Sequence, residues 1–241
     1  MTADKQYMDH TPSLFSKTIF VSELGGLRAT IEGHLRACAI QANGSFVTGE
    51  ALSHGGMLRR YGPFSDSTSP LWAVDSESRI GYDSRPERRL REAALRSHIG
   101  LGQRESMPRK LDTLGILADG NAAVVELKDA TGDLERAVTQ AACRVARFRE
   151  LREREGYDLR DVIMGQARQR ARVGLLSDQF PAMPAAFQLV PIVAAPVASV
   201  AWVSEWLAET TGVRARLAGS LEGLRFWRLS SDGALLEEHV V

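Results

Sequence analysis

Residues 109–128 constrain this chain more than any other stretch, because they combine a hairpin pattern with charged side chains on both predicted strands. Two apolar runs, rich in Leu, Ile, Val and Ala, surround the turn-forming residues 119–121. An Asp-Gly-Asn break between two such runs is typical of a β-hairpin. The sequence therefore predicts two antiparallel strands, with Asp112 on the first and Glu126 and Lys128 on the second.

The register of this hairpin decides whether the charged groups meet, since strand side chains alternate between the two faces of a sheet. A two-residue loop would pair Asp112 with Leu127 and direct the Asp112 side chain away from Glu126. A three-residue loop at 119–121 would instead pair Asp112 with Lys128. Asp112, Glu126 and Lys128 would then share one face, and we predict this second register.

Three side chains on that face would have a defined chemistry. Carboxylate oxygens are ligands that Mg²⁺ and Mn²⁺ prefer, and such an ion activates water and stabilises charge on phosphate oxygens. A lysine beside the ion adds a point charge for a phosphate. The set suits hydrolysis of a phosphodiester. The alternative is the wet side of an edge strand, since Glu-x-Lys is common on antiparallel strands with one exposed face.

Helical patterns lie on both sides of the hairpin. Between about 134 and 155, one amphipathic stripe recurs at helical spacing, formed by Leu134, Val138, Ala141, Val145 and Phe148. Gln140, Arg144 and Arg147 form a polar line along the flank of that helix. Before the hairpin, a second predicted helix begins near Pro86 and carries Glu87.

This arrangement resembles the PD-(D/E)XK nuclease superfamily, which includes many restriction endonucleases, Holliday-junction resolvases and repair nucleases. In that pattern a helix with a Glu precedes a strand with the Asp, a hairpin leads to Glu-x-Lys, and a helix with a Gln follows. The matching positions here are Glu87, Asp112, Glu126, Lys128 and Gln140. The resemblance covers roughly residues 84–148, and Leu111 stands where the family signature has Pro.

The resemblance implies a nuclease that uses Mg²⁺ or Mn²⁺ and acts on DNA. Its implied metal ligands are Asp112, Glu126, the carbonyl of Leu127, and Glu87. Its implied catalytic residues are Asp112, Glu126, Lys128 and Gln140. Lys128 would orient the attacking water or neutralise charge at phosphorus, and Gln140 would position Lys128 or that water.

Two alternatives stay open beside this interpretation. Glu92 lies on the same predicted helix as Glu87, and an acid in the first turn of a helix is also favourable for the helix dipole alone. The chain could also be a non-catalytic nucleic-acid-binding or assembly module that keeps the nuclease fold. A complete set of Asp112, Glu126, Lys128 and Gln140 argues against such a decayed site.

Positive charge is concentrated around the predicted site although the whole chain is neutral, with 30 basic and 30 acidic residues. Residues 85–172 hold nineteen Lys and Arg against fourteen Asp and Glu, a net charge of +5. Such a segment suits the approach of a polyanion. The predicted phosphate contacts are Arg144, Arg147, Arg168 and Arg170. The alternatives are ion pairs with Glu150 or its neighbours for the first two, and a solvated helix end for the others.

The order of elements predicts an α/β fold, in which helices flank a mixed central sheet. We place a restriction-endonuclease-like core at 76–241 and a small N-terminal β-rich module at 1–75. Within this scheme, His54-Gly55-Gly56 is expected to form a turn, and Pro191 to occupy an edge or bulge of a buried strand at 187–195.

Composition predicts a cytoplasmic protein without a membrane span. Two cysteines are too few for a disulfide framework, and no apolar stretch reaches eighteen residues. The N-terminus lacks the basic-then-apolar pattern of a signal peptide. A homodimer is left open.

Overall fold

The structure is a computed structural model of the chain, and it describes residues 49–79, 85–98, 110–128, 134–154, 156, 158–196 and 221–240. Within these ranges it contains four helices and six strands. They are α1 (Gly49–Arg60), β1 (Leu71–Arg79), α2 (Arg85–His98), β2 (Lys110–Leu117), β3 (Ala122–Leu127), α3 (Leu134–Arg154), α4 (Leu159–Arg172), β4 (Leu189–Pro196), β5 (Arg225–Leu229) and β6 (Leu235–Val240).

The six strands form one mixed sheet whose spatial order follows the chain, from β1 to β6. Strands β1, β2 and β3 are mutually antiparallel, β4 is parallel to β3 and to β5, and β6 is antiparallel to β5. A parallel neighbour requires a crossover connection, and α3 and α4 lie in the crossover from β3 to β4. The chain therefore has the predicted α/β class, with a mixed sheet and helices.

Helices cover both faces of the sheet, and strand β3 is buried on both. Val124 packs on the face that holds α3 and α4, together with Val145 and Phe148. Val125 and Leu127 pack on the opposite face, where α1 contributes its own apolar residues. All six residues of β3 are buried. Since side chains alternate along a strand, Glu126 extends from β3 into the α3 face.

The β2–β3 loop differs from the predicted one by a single position. It consists of Ala118, Asp119 and Gly120, and Asn121 already pairs with Leu117 through its carbonyl oxygen. Gly120 has a φ of 82° and donates its N–H to the Leu117 carbonyl. A type I turn followed by a residue in the left-handed region is a common three-residue hairpin loop, and the last position favours glycine.

This loop shifts the hairpin register by two residues from the predicted one. Thr113 pairs with Val125, so continuing the register brings Asp112 opposite Glu126. The predicted pairing of Asp112 with Lys128 is therefore wrong. Asp112, Glu126 and Lys128 still share one face, because a shift of two residues leaves every side chain on its original side.

Helix α3 matches the predicted helix within one residue at its C-terminal end. Val138, Ala141, Val145 and Phe148, from the predicted stripe, are all fully buried. The sequence also has strand-like apolar runs at 224–229 and 235–240, and these are confirmed as strands β5 and β6.

Two local predictions are wrong. The His54-Gly55-Gly56 segment lies inside α1 and forms no turn. Its second glycine serves packing, since a Cβ on Gly56 would collide with the carbonyl oxygen of Asp232. Pro191 lies in β4, between β3 and β5, and not in an edge strand. The pairing of β4 with β5 begins only at Ile192, so the missing N–H of proline removes no bond between those two strands.

The described residues of the predicted N-terminal module, 49–75, contain α1 and the first part of β1. Strand β1 pairs with β2, and α1 packs against the sheet. Three further patterns of the sequence lie outside the described residues. They are a strand-like run at 18–22, a strict alternation at 27–39 that favours a strand with a helix as the alternative, and a helical pattern at 199–211. None of the helices described here is both long and apolar enough to span a membrane.

Candidate functional site

Strands β2 and β3 bring Asp112 and Glu126 together at the open end of their hairpin. The Oδ2 atom of Asp112 accepts the backbone N–H of Leu127 at 2.8 Å. Asp112 lies opposite Glu126 in the continued register, and its charge raises the pKa of Glu126. The predicted pair of acids therefore shares one face of the sheet.

Glu126 is the buried centre of this group, with 2% of its surface exposed. Its Oε1 atom accepts Lys128 Nζ at 2.8 Å. Its Oε2 atom accepts the Nε–H of Arg144 at 3.0 Å, and Nη2 of the same guanidinium lies 2.9 Å from that oxygen. Lys128 is 15% exposed and Arg144 is 5% exposed, so the lysine lies on the more open side of the carboxylate.

Burial dominates the electrostatics of Glu126 and raises the pKa of its carboxyl to about 7. The positive charges of Arg144 and Lys128 oppose this shift, and the negative charge of Asp112 adds to it. Removing a carboxylate from water penalises its charged form, and each opposite charge favours that form again. The ionised form of Glu126 is therefore costly to bury, and its two cationic partners offset that cost.

Helix α3 supplies the groups that face Glu126 from above the sheet. Gln140 and Arg144 are four residues apart, so they lie one above the other on one side of the helix. The Oε1 atom of Gln140 is buried and has no hydrogen-bond partner among the described residues. The sequence predicted that both residues lie on the polar flank of the helix. It did not predict that Arg144 contacts Glu126.

The other predicted phosphate-binding arginines differ in accessibility. Arg147 is 5% exposed and pairs with Glu150 at 3.0 Å, three residues along the same helix. Arg170 donates to the carbonyl of Val74 at 2.6 Å and lies 3.7 Å from Asp75 Oδ1. Arg168 is exposed. Contact of these residues with phosphate stays a prediction.

His54 contacts the site from the opposite face of the sheet, a position that its predicted place in a turn did not indicate. Its Nε2 atom lies 3.0 Å from the carbonyl oxygen of Asp112 and 3.1 Å from Thr113 Oγ1. A ring N–H that donates to that carbonyl fixes the β2 backbone at the residue that carries the carboxylate. His54 thus connects α1 to the site without facing it.

The donor set suits a hard cation that keeps some of its water. Mg²⁺ is commonly held by one or two carboxylates together with water and phosphate oxygens. Asp112, Glu126 and the Leu127 carbonyl would supply such ligands. In the ranges that the structure describes, no group of three or more His, Cys, Asp or Glu could hold a metal ion. Glu87, the remaining predicted ligand, lies on α2, and its side chain is outside the described part of the chain.

Comparison of the chain with protein-family models, with curated proteins and with solved structures gives no match. Function is therefore inferred from the contacts of Asp112, Glu126, Lys128 and Arg144. Two carboxylates and two cationic side chains in one group can bind a cation, an anion, or first one and then the other.

Proposed function

We propose that this protein is a metal-dependent nuclease of the PD-(D/E)XK type, with a restriction-endonuclease-like core, that hydrolyses phosphodiester bonds in DNA. One observation carries the proposal: Asp112, Glu126 and Lys128 converge on one face of a hairpin, in the Asp…Glu-x-Lys order. The mixed sheet with α3 after the second strand also agrees with that family's pattern.

The two carboxylates and the Leu127 carbonyl would hold Mg²⁺ or Mn²⁺, with Glu87 as a further ligand. A divalent ion in such a site lowers the pKa of water and offsets charge that develops on phosphate oxygens. Asp112 is fixed for this role by its bond to the Leu127 N–H and by the contact of His54 with its backbone. Both contacts reduce the freedom of β2 at the ligand.

Lys128 and Gln140 would act on the substrate and on water. Lys128 Nζ already lies 2.8 Å from Glu126 Oε1, so it can donate from the same spot to a phosphate oxygen beside that carboxylate. The Oε1 atom of Gln140, which has no partner among the described residues, can accept a hydrogen bond from the attacking water. These two residues would orient the reactants from opposite sides, one from β3 and one from α3.

A polyanionic partner agrees with the charge distribution. The net charge of +5 over residues 85–172 belongs to the segment that carries α2, the hairpin, α3 and α4. Long-range attraction of this kind speeds the encounter with nucleic acid and positions the backbone without reading its sequence.

A second candidate is a nucleic-acid-binding or assembly module without catalysis. The contact that favours it is the ion pair of Arg144 with Glu126, since the guanidinium already donates its Nε–H to one carboxylate oxygen and holds Nη2 2.9 Å from it. A carboxylate held in this way can be a purely structural link between α3 and β3.

The purified chain should be incubated with Mg²⁺, Mn²⁺ or EDTA and with labelled duplex, single-stranded, branched and RNA substrates. We expect metal-dependent cleavage that is lost in Asp112→Ala and retained in Arg225→Gln. Arg225 forms ion pairs with Asp119 and Glu238. Asp119 is in the loop of the β2–β3 hairpin and the site is at the open end, so Arg225→Gln controls for the loss of an arginine elsewhere in the protein. Binding without cleavage in either metal would favour the non-catalytic module.

A further inference from the structure

Arg144 and Glu126 form the most enclosed ion pair of the site. Both members are 5% exposed or less, and both guanidinium contacts go to the same oxygen, Oε2. Lys128 occupies the other oxygen. Each oxygen of the Glu126 carboxylate thus accepts one hydrogen bond from a cation, and Oε2 also lies 2.9 Å from Nη2 of Arg144.

Glu126 therefore cannot serve as a full metal ligand while it keeps both cations. A divalent ion at this carboxylate would lie next to two positive groups, and like charges in a buried site repel strongly. Lys128 lies on the more exposed side and has a flexible stem. Arg144 lies on the buried side, donates its Nε–H to Oε2 and holds Nη2 2.9 Å from the same oxygen, so it is the stronger competitor.

The charges of the site show what Arg144 does once it is displaced. With all groups ionised, Asp112 and Glu126 cancel Lys128 and Arg144, and the site is neutral. A divalent ion adds two positive charges, which favours the arrival of an anion. A guanidinium that has left Glu126 is a fork of N–H donors suited to a phosphate group.

Resting on the proposed nuclease function, we propose that Arg144 is an internal counter-ion that Glu126 exchanges for the divalent metal, and that its guanidinium then binds the phosphodiester of the substrate. Metal and phosphate binding are thereby coupled through one side chain. The helix that carries Arg144 stays fixed, because Val145 and Phe148 on its core side are fully buried. Only the arginine side chain changes partner.

The first measurement is Mn²⁺ affinity, by calorimetric titration of the full chain without substrate. We expect Arg144→Gln to bind Mn²⁺ about ten-fold more tightly than the wild type, since residues around a metal's ligands change its affinity by roughly 10–100-fold. Arg144→Lys, which keeps the charge, should show a smaller gain. Arg225→Gln should bind as the wild type does, and Asp112→Ala should lose binding.

The direction of the change in Mn²⁺ affinity distinguishes the proposed role of Arg144 from a purely structural one. If Arg144 only supports the position of Glu126, its removal loosens the ligand and weakens Mn²⁺ binding. Weaker or unchanged binding in Arg144→Gln would thus overturn the proposal. Should Arg144→Gln fail to fold, Arg144→Lys decides, because affinity equal to or below that of the wild type contradicts competition.

The second measurement tests the coupling with dimethyl phosphate, a stable phosphodiester with one negative charge. We expect dimethyl phosphate to tighten Mn²⁺ binding in the wild type and to have a smaller effect in Arg144→Gln. An equal effect in both proteins would overturn the coupling.

The two proposals fail in different ways. Absence of Mn²⁺ binding in both the wild type and Arg144→Gln would remove the metal site, and both proposals with it. Normal Mn²⁺ binding and DNA cleavage, with no effect of Arg144→Gln on metal or phosphate affinity, would remove only the role of Arg144.

Discussion

Asp112 continues the hairpin ladder with its side chain, because its Oδ2 atom accepts the Leu127 N–H at 2.8 Å. One carboxylate oxygen is thus used to join the two strands that carry the acids. A residue proposed as a metal ligand therefore also supports the fold.

This contact predicts that two substitutions at Asp112 differ in stability but not in activity. Asp112→Ala leaves the Leu127 N–H without its acceptor, which costs about 1–3 kcal/mol for a buried donor. Asp112→Asn retains an acceptor oxygen and should lose less. Urea unfolding without metal measures the difference, and equal stability of both variants would show that the bond to Leu127 contributes nothing. Both variants should fail to cleave DNA.

Lys128→Ala should lower kcat by about two to three orders of magnitude, the range seen when one stabilising donor is removed from a transition state. The KM for substrate should change much less, because Lys128 is one charge among many that attract the nucleic acid. Steady-state kinetics in saturating Mg²⁺ give both constants. Cleavage at the wild-type rate would contradict the role given to Lys128, and Arg225→Gln provides the matched control.

The raised pKa of Glu126, about 7 against an ordinary value of 4.5, predicts a pH-dependent contribution to stability without metal. The folded state holds this proton more tightly than the unfolded state does. The contribution is therefore complete below about pH 4.5, falls as the pH rises towards 7, and stays low above that. Urea unfolding of the wild type and of Glu126→Gln between pH 4.5 and 8 isolates the contribution of Glu126 to the free energy of unfolding, since a glutamine at this position does not titrate. Parallel curves for the two proteins would contradict the shift.

The arginines around the site should divide according to their exposure when salt dependence is measured. Arg168→Ala should flatten the slope of log affinity against log salt by roughly 0.9, the value for one phosphate contact on duplex DNA. Arg147→Ala should flatten the slope less than Arg168→Ala does, because Arg147 is buried and would have to leave Glu150 to contact a phosphate. A reversed result, with Arg147 changing the slope and Arg168 not, would mean that α3 opens when DNA binds.

Adjacent glycines in α1 offer a test of how this helix packs. A Cβ on Gly56 would collide with the Asp232 carbonyl, whereas a Cβ on Gly55 would meet nothing within 4 Å. We expect Gly56→Ala to destabilise the protein by about 1–3 kcal/mol through overpacking. Gly55→Ala should stabilise it by up to about 1 kcal/mol through helix propensity. Thermal unfolding of both variants decides, and similar effects would contradict the close contact of α1 with residue 232.

The sequence predicted those parts of the site that depend on short-range pattern. Asp112 and Glu126 share a face because alternation has a period of two, which made the prediction insensitive to a register error of two residues. Helix α3 followed from its buried stripe in the same way.

Contacts between distant elements could not be predicted. Arg144 and Glu126 are eighteen residues apart, and their contact depends on how α3 packs across β3. His54 and Asp112 are fifty-eight residues apart and meet only because α1 covers the other face of the sheet. Periodicity reports which side of an element faces the core, but it does not report which elements share that core.

The three-residue loop at 118–120 has a consequence for how this chain can change in length. Asp112 and Glu126 face the same side of the sheet only while the number of residues between them stays odd, as it is now. Insertion or deletion of one residue in the loop would turn one carboxylate towards α1, unless a bulge absorbed it. A change of two residues would keep both acids on the α3 face. Ala118 and Asp119, the exposed residues of this loop, should thus tolerate substitution far better than a change in their number, whereas Gly120, with its φ of 82°, should tolerate neither.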